Sequence, residues 1–332
     1  MRQKQDILNK KIFSSYAPMA LNIIGGSSHK IFTQKICSFL GVEETKTTSK
    51  IFKNDNIFVT IDEPIRGNDV FVIQTQAYPV NTHLMEMLMY IRALKDASAD
   101  RITAVFPYMP YIRSDKKDQP RIAITARLVA DLVATAGANR AIIMEMHSPQ
   151  IQGFFSIPCD HLIAAPTIVE YLKTRWGLAN YCLVAGDAGA AKMLKLYADG
   201  LHLPVAIMDK RREGNDETVE IKGVIGNVKG KNVLLIDDET QSGGTLIKDA
   251  EYLLRKEGVT AIDACIVHPA LGPDADEALN ASPINRFVTT DTIPLEKHNL
   301  KNCEVVSVAE KFAEAIRRIH ENESIKSLND VV

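Results

Sequence analysis

The chain has 332 residues, 46 % hydrophobic and 24 % charged, the composition of a soluble globular protein long enough for two domains. Its 39 basic and 41 acidic side chains nearly cancel to a formal charge of −2, which gives no electrostatic case for nucleic acid or an anionic membrane as partner. No apolar run approaches the roughly 20 residues that a membrane span needs.

The first residues, MRQKQDILNKKIF, are polar and mixed in charge, with no signal-peptide core. Cys37, Cys159, Cys182, Cys265 and Cys303 are odd in number, widely spaced and without a CxxC pair. Free thiols in a reducing cytoplasm are therefore expected, with neither a disulfide framework nor a zinc site.

Along the chain, short apolar runs bounded by turn signals predict strands at 71–75, 102–108, 140–146, 181–186, 205–209, 232–238, 261–269 and 286–291. Helical spacing predicts helices at 82–98, 122–137, 190–201, 248–258 and 308–324, the first with Leu84, Met87, Leu88 and Ile91 on one apolar face. Strand and helix alternation argues for an α/β fold with parallel sheets covered by helices. The pattern occurs twice, so two similar lobes are expected, at 20–165 and 166–306, with the last helix, 307–323, packing back on the first lobe.

Chemistry-bearing residues cluster at the turns that follow strands. Arg113, Lys116, Lys117 and Arg121 crowd one such turn, as a polyphosphate clamp or a solvated basic loop would. His147 follows a buried-looking strand, and Asp187 occupies a matching strand end in LVAGDAGAAK. A histidine and an aspartate at neighbouring strand ends can hold Mg²⁺ on a nucleotide, although a lone histidine is more often structural. Asp209, Lys210, Arg211 and Arg212 leave a strand for the polar loop 213–217, EGNDE. Three adjacent cations need solvent or an anion, and such loops close over phosphates.

The richest window is 233–245, VLLIDDETQSGGT. An apolar strand runs into two carboxylates, a polar loop and Gly-Gly-Thr, followed by a helix. Asp237–Thr245 is expected on a strand-to-helix turn, at the carboxyl edge where open α/β sheets bind ligands. Backbone N–H groups ahead of a helix cradle phosphate, and paired carboxylates accept vicinal hydroxyls. A sugar phosphate fits, with its ribose on Asp237 and Asp238 and its phosphate on Ser242–Thr245. The same pattern also fits an unliganded turn whose aspartates cap the next helix.

In this order, the windows resemble the ribose-phosphate pyrophosphokinases, also called phosphoribosyl pyrophosphate synthetases. The resemblance covers about 21–328 and is carried by IRGNDVFVIQT, NTHLMEMLMYIRALKDASADRITAVFPY, ITARLVADLVATAGANRAIIMEMHSPQIQGFF, DKRR, DTIP and AEAIRRIHENESI. It implies two phosphoribosyltransferase-like lobes with the active site between them, and a homo-oligomer, a hexamer built from dimers. The implied reaction moves a diphosphoryl group from Mg-ATP to the anomeric hydroxyl of ribose 5-phosphate, with AMP leaving. By resemblance, Lys210 and Arg212 belong to the mobile catalytic loop, and His147 and Asp187 to the magnesium positions. Asp237 and Asp238 match the ribose-diol carboxylates, and Gln241, Ser242, Gly243, Gly244 and Thr245 the 5-phosphate cradle. Phe52, Asn54, Asn56, Arg113, Asp115 and His147 match the ATP side.

Three windows depart from the family pattern. Gln241 and Ser242 replace an acid and a threonine of DDxxDTxGT, and Glu239 and Thr240 replace its usual apolar pair. Ser114 stands in an Arg-Gln-Asp turn. Asn54 and Asn56 replace the carboxylates of Phe-Ser-Asp-Gly-Glu. Three readings follow: synthesis of phosphoribosyl diphosphate, the same transfer onto a ribose with a larger 5-phosphoryl group such as ADP-ribose, or a non-catalytic regulatory subunit.

Overall fold

A computed structural model describes residues 19–212 and 219–331. The first lobe is a five-stranded parallel sheet in the order β1 (Leu21–Gly25), β4 (Asp69–Ile73), β5 (Arg101–Phe106), β6 (Arg140–Met144), β7 (Cys159–Leu162). Helices α1 (Lys30–Leu40), α2 (Val80–Asp96) and α3 (Thr125–Ala136) flank it, and β2 (Thr47–Ile51) pairs antiparallel with β3 (Ile57–Ile61) as a separate hairpin. Every residue of β4 is buried, as an apolar strand covered on both faces requires. The predicted stripe Leu84, Met87, Leu88 and Ile91 is the buried face of α2.

The second lobe adds α4 (Ala165–Arg175), β8 (Tyr181–Ala185), α5 (Ala191–Leu201), β9 (Val205–Arg212), β10 (Val219–Ile225), β11 (Asn232–Thr240), α6 (Gly244–Lys256), β12 (Ala261–Pro269), α7 (Ala275–Ala281), β13 (Phe287–Thr290) and β14 (Cys303–Val306). Its sheet runs β10-β9-β8-β11-β12-β13-β14, parallel except for the β9–β10 pair. Strand order reverses between β8 and β11. Such a reversal opens a crevice at the carboxyl ends of the two strands, where ligands bind in open α/β sheets.

One apolar core runs through both lobes. Ile23, Phe71, Val105 and Met144 of the first sheet belong to the same buried cluster as Leu183, Ile236 and Val288 of the second. The last helix, α8 (Ala309–His320), follows the second sheet but lies on the first lobe. Phe312 meets Phe32 of α1 edge-on at 5.5 Å, and Arg101, paired with Asp69, donates to the carbonyl of Ile319 at 3.0 Å. Among the described residues, no helix is long and apolar enough to cross a membrane.

Candidate active site

A cavity of about 800 Å³ lies at the switch point. It is lined by Arg113, His147, Asp187, Lys210 and the run Asp237–Leu246, with Ile221, Lys248 and Asp249. The first lobe supplies Arg113 and His147, and the second supplies the rest.

β11 continues through Thr240, so Asp237 and Asp238 sit in the strand itself and the turn is confined to Gln241–Gly243. The hydrogen-bonded ladder with β12 extends to Thr240 and outlasts the apolar run, which is why the strand end was read too early. Gly243 then adopts φ +74°, a left-handed conformation that glycine reaches without strain, and α6 begins. Thr240 Oγ1 accepts from Gly243 N at 3.2 Å, and Ser242 Oγ from Gly244 N at 3.3 Å. As at any helix start, the N–H groups of Thr245 and Leu246 have no intrahelical partner and suit an anion.

His147 and Asp187 follow strands of different sheets, β6 and β8, rather than neighbouring strands; the two lobes bring them to one cavity. Glu145, just past β6, has φ +44° and turns the chain toward the second lobe. His147 Nδ1 there donates to Asp238 Oδ2 at 2.7 Å. That hydrogen bond and the carboxylate charge raise the histidine pKa above its usual value. Burial works against the Asp238 carboxylate, but His147 holds it below the ordinary aspartate range. Burial and the charge of Asp238 push Asp237 the other way, to about 8. One carboxylate of the pair is thus an acceptor held charged, and the other favours its proton.

Asp187 caps the short 3-10 turn Ala188–Ala190, its Oδ1 accepting from Gly189 N at 2.7 Å and Ala190 N at 3.2 Å. Its second oxygen is left for the cavity. Among the described residues, no three His, Cys, Asp or Glu side chains are grouped to hold a metal by themselves. Magnesium carried on nucleotide phosphates needs only one or two carboxylates, with water completing the shell. Asp187 meets that demand as a hard oxygen donor, and His147 lines the same cavity.

Two carboxylates without a role in the sequence-based expectations, Glu239 and Asp249, complete the walls. Glu239 is buried, accepts from Tyr108 Oη at 3.1 Å, and lies 3.5 Å from Arg113 Nε. Asp249, on the buried face of α6, accepts from Lys210 Nζ at 2.8 Å. A signal for Asp249 existed, since it shares helical spacing with the buried Leu246, Ala250 and Leu253.

Other assigned residues lie elsewhere. Phe52, Asn54 and Asn56 are exposed on the turn between β2 and β3, where Asn54 Oδ1 accepts from Asn56 N at 3.3 Å and Phe52 packs on Phe58. They do not line the cavity, and neither does Asp115. The side chain of Arg212 and the loop 213–217 lie outside the described residues.

Comparison with known proteins shows the family. Residues 21–137 match the family model described as the N-terminal domain of ribose phosphate pyrophosphokinase, and residues 217–329 match the phosphoribosyl synthetase-associated domain. A ribose-phosphate pyrophosphokinase of Caldanaerobacter subterraneus is 43 % identical over 310 residues, covering 93 % of this chain and 98 % of the relative. The protein of that name from Synechococcus elongatus is 40 % identical over 311 residues, covering 93 % of each chain. Among solved structures, the phosphoribosylpyrophosphate synthetase of Mycobacterium smegmatis aligns with a TM-score of 0.85 at 36 % identity, over 91 % of this chain and 99 % of that one.

Proposed function

This chain belongs to the ribose-phosphate pyrophosphokinase family, and we propose that it transfers the β,γ-diphosphoryl group of Mg-ATP to the 1-hydroxyl of ribose 5-phosphate, releasing AMP. The observation that carries this reading is one cavity in which His147 and Arg113 of the first lobe face Asp187, Lys210 and Asp237–Thr245 of the second. Asp237 and Asp238 accept the ribose hydroxyls. The cradle of Ser242–Thr245 takes the 5-phosphate on backbone N–H groups and hydroxyls. Arg113 and His147 address the nucleotide phosphates, and Lys210 and Arg212 stabilise charge on the transferring group. In-line phosphoryl transfer depends on positioning and neutralisation more than on covalent help. Asp187 and His147 would hold magnesium, which would supply positive charge against the polyphosphate. The assembly expected for the reaction is a dimer-based homo-oligomer in the cytoplasm.

A second acceptor is favoured by the rim. Gln241 and Ser242 are exposed where the family pattern has an acid and a threonine, which is the position a larger group such as the diphosphate-adenosine of ADP-ribose would meet.

The test is AMP release from Mg-ATP with each acceptor. AMP with ribose 5-phosphate alone is the expected result. AMP only with ADP-ribose transfers the proposal to the second acceptor. No AMP with either, under conditions where a known synthetase works, replaces it with the regulatory-subunit reading. Lys210→Ala should lower kcat by about 10²-fold or more while leaving nucleotide binding largely intact, because its contact strengthens in the transition state.

A further inference from the structure

We propose that Asp249 is the positioning residue for Lys210, fixing its ammonium against the cavity wall beside the phosphate cradle. The inference rests on the reading of Lys210 as the cation that stabilises the transferring group.

Four observations carry it. Lys210 Nζ donates to Asp249 Oδ2 at 2.8 Å, and the side chains are 13 % and 2 % exposed. The other oxygen, Oδ1, is buried with no hydrogen-bond partner among the described residues, so the carboxylate has Lys210 as its compensating donor. A buried carboxylate without a cation is costly, which strongly favours keeping the lysine there. Asp249 lies four residues along α6 from Thr245, on the same face of the helix that begins the cradle, so it ties the cation to the element that holds the sugar phosphate. Finally, the pair packs against bare backbone: a Cβ added to Gly186 would come within 3.3 Å of Asp249 Oδ2 and 3.7 Å of Lys210 Nζ.

An ammonium has three donors and no acceptor. One is spent on Asp249, and two remain for phosphate oxygens in the cavity. A free lysine stem would lose its rotamer freedom at the moment of reaction; here that freedom is already lost in the folded protein. Asp249 touches no reacting atom and acts through Lys210.

The test is a double-mutant cycle read on kcat, using wild type, Lys210→Ala, Asp249→Asn and the double variant as full-length protein with Mg-ATP and the acceptor that supports AMP release. Asp249→Asn keeps shape and removes the charge. It should lower kcat about tenfold with both KM values within about twofold. In the Lys210→Ala background the same substitution should change kcat by less than about twofold, since the residue through which it acts is gone. Unchanged or raised kcat in Asp249→Asn overturns the proposal. So do multiplicative losses in the double variant, the signature of a general structural role or of impaired folding. An unaltered kcat in Lys210→Ala removes the assignment of Lys210 itself, whereas a large loss there with none in Asp249→Asn removes only the role of Asp249.

Discussion

Glu239 shows how one side chain can join two functions. It stands in β11 directly after the sugar carboxylates, yet it reaches across to the first lobe. Tyr108 Oη donates to its Oε2, and Arg113 lies 3.5 Å from its Oε1. Burial, and then the charge of Asp238, raise its pKa above the usual glutamate value. A carboxylate with a raised folded pKa stabilises the fold below its unfolded pKa and loses that contribution as pH rises. Above its unfolded pKa the Glu239 carboxyl is therefore a cost to stability, accepted for the placement of Arg113. Glu239→Gln should leave thermal stability at pH 8 equal or higher, while raising the KM for ATP. Arg113 is more than half exposed, so the effect is modest, about 1 kcal/mol or about fivefold in KM. Steady-state kinetics and a melting curve at one pH decide it; an unchanged KM would mean that Arg113 needs no anchor.

At the scale of elements, the turn between β11 and α6 depends on Gly243. Its φ of +74° disfavours any Cβ, and an added one would lie 2.5 Å from Leu279 Cδ2 of α7. Gly243→Ala should cost about 2 kcal/mol by thermal unfolding and weaken acceptor binding, whereas Gly244→Ala, at ordinary φ and 3.3 Å from Ser242 Oγ, should change stability by under about 0.5 kcal/mol. Equal losses from the two would show that backbone conformation does not shape the cradle. This turn was legible in the sequence because Gly-Gly-Thr after an apolar strand has few backbone solutions. The long central strands were legible for the same kind of reason: buried on both faces, they read as unbroken apolar runs. Strands β1, β2, β3, β7, β10 and β14 were not: Ser49, Lys50, Asp160 and Glu220 interrupt β2, β7 and β10, while β1 and β3, LNIIG and IFVTI, are short apolar runs that the expected strands did not include. Asp249 and Glu239 went unassigned because a carboxylate reads as surface until its cation is known, and their cations come from β9 and from the other lobe.

The largest gap between sequence and structure lies in how the lobes meet. His268 of β12 is fully buried, and its Nε2 sits 3.2 Å from the carbonyls of both Met144 and Glu145. Carbonyls only accept, so Nε2 carries the hydrogen and Nδ1 accepts from Thr292 Oγ1 at 2.9 Å. Burial holds this ring neutral, with its pKa down at about 4. Glu145 itself is buried, accepts from Ala164 N at 2.9 Å, and feels the charge of Lys311 on α8. Burial raises Glu145 to about 7 and lowers Lys311 to about 8. For Glu145 the folded pKa lies above the unfolded 4.5, so its contribution to stability is complete below pH 4.5 and is lost as pH climbs through 7, an amount of about 3 kcal/mol. The lysine runs the other way, its contribution complete above pH 10.5 and lost as pH falls through 8. Near pH 7.5 each group is close to its own midpoint, because the attraction between them does not repay the water that both gave up. Glu145→Gln keeps the acceptor for Ala164 and removes the charge. It should match wild type at pH 4.5 and exceed it at pH 8 by about 1–2 kcal/mol, the full gain being reduced by the lost attraction to Lys311. Chemical denaturation at the two pH values measures the difference. A variant less stable than wild type at pH 8 would mean that the charge of Glu145 holds α8 and the two lobes together, and that the junction rests on that charge more than on its apolar core.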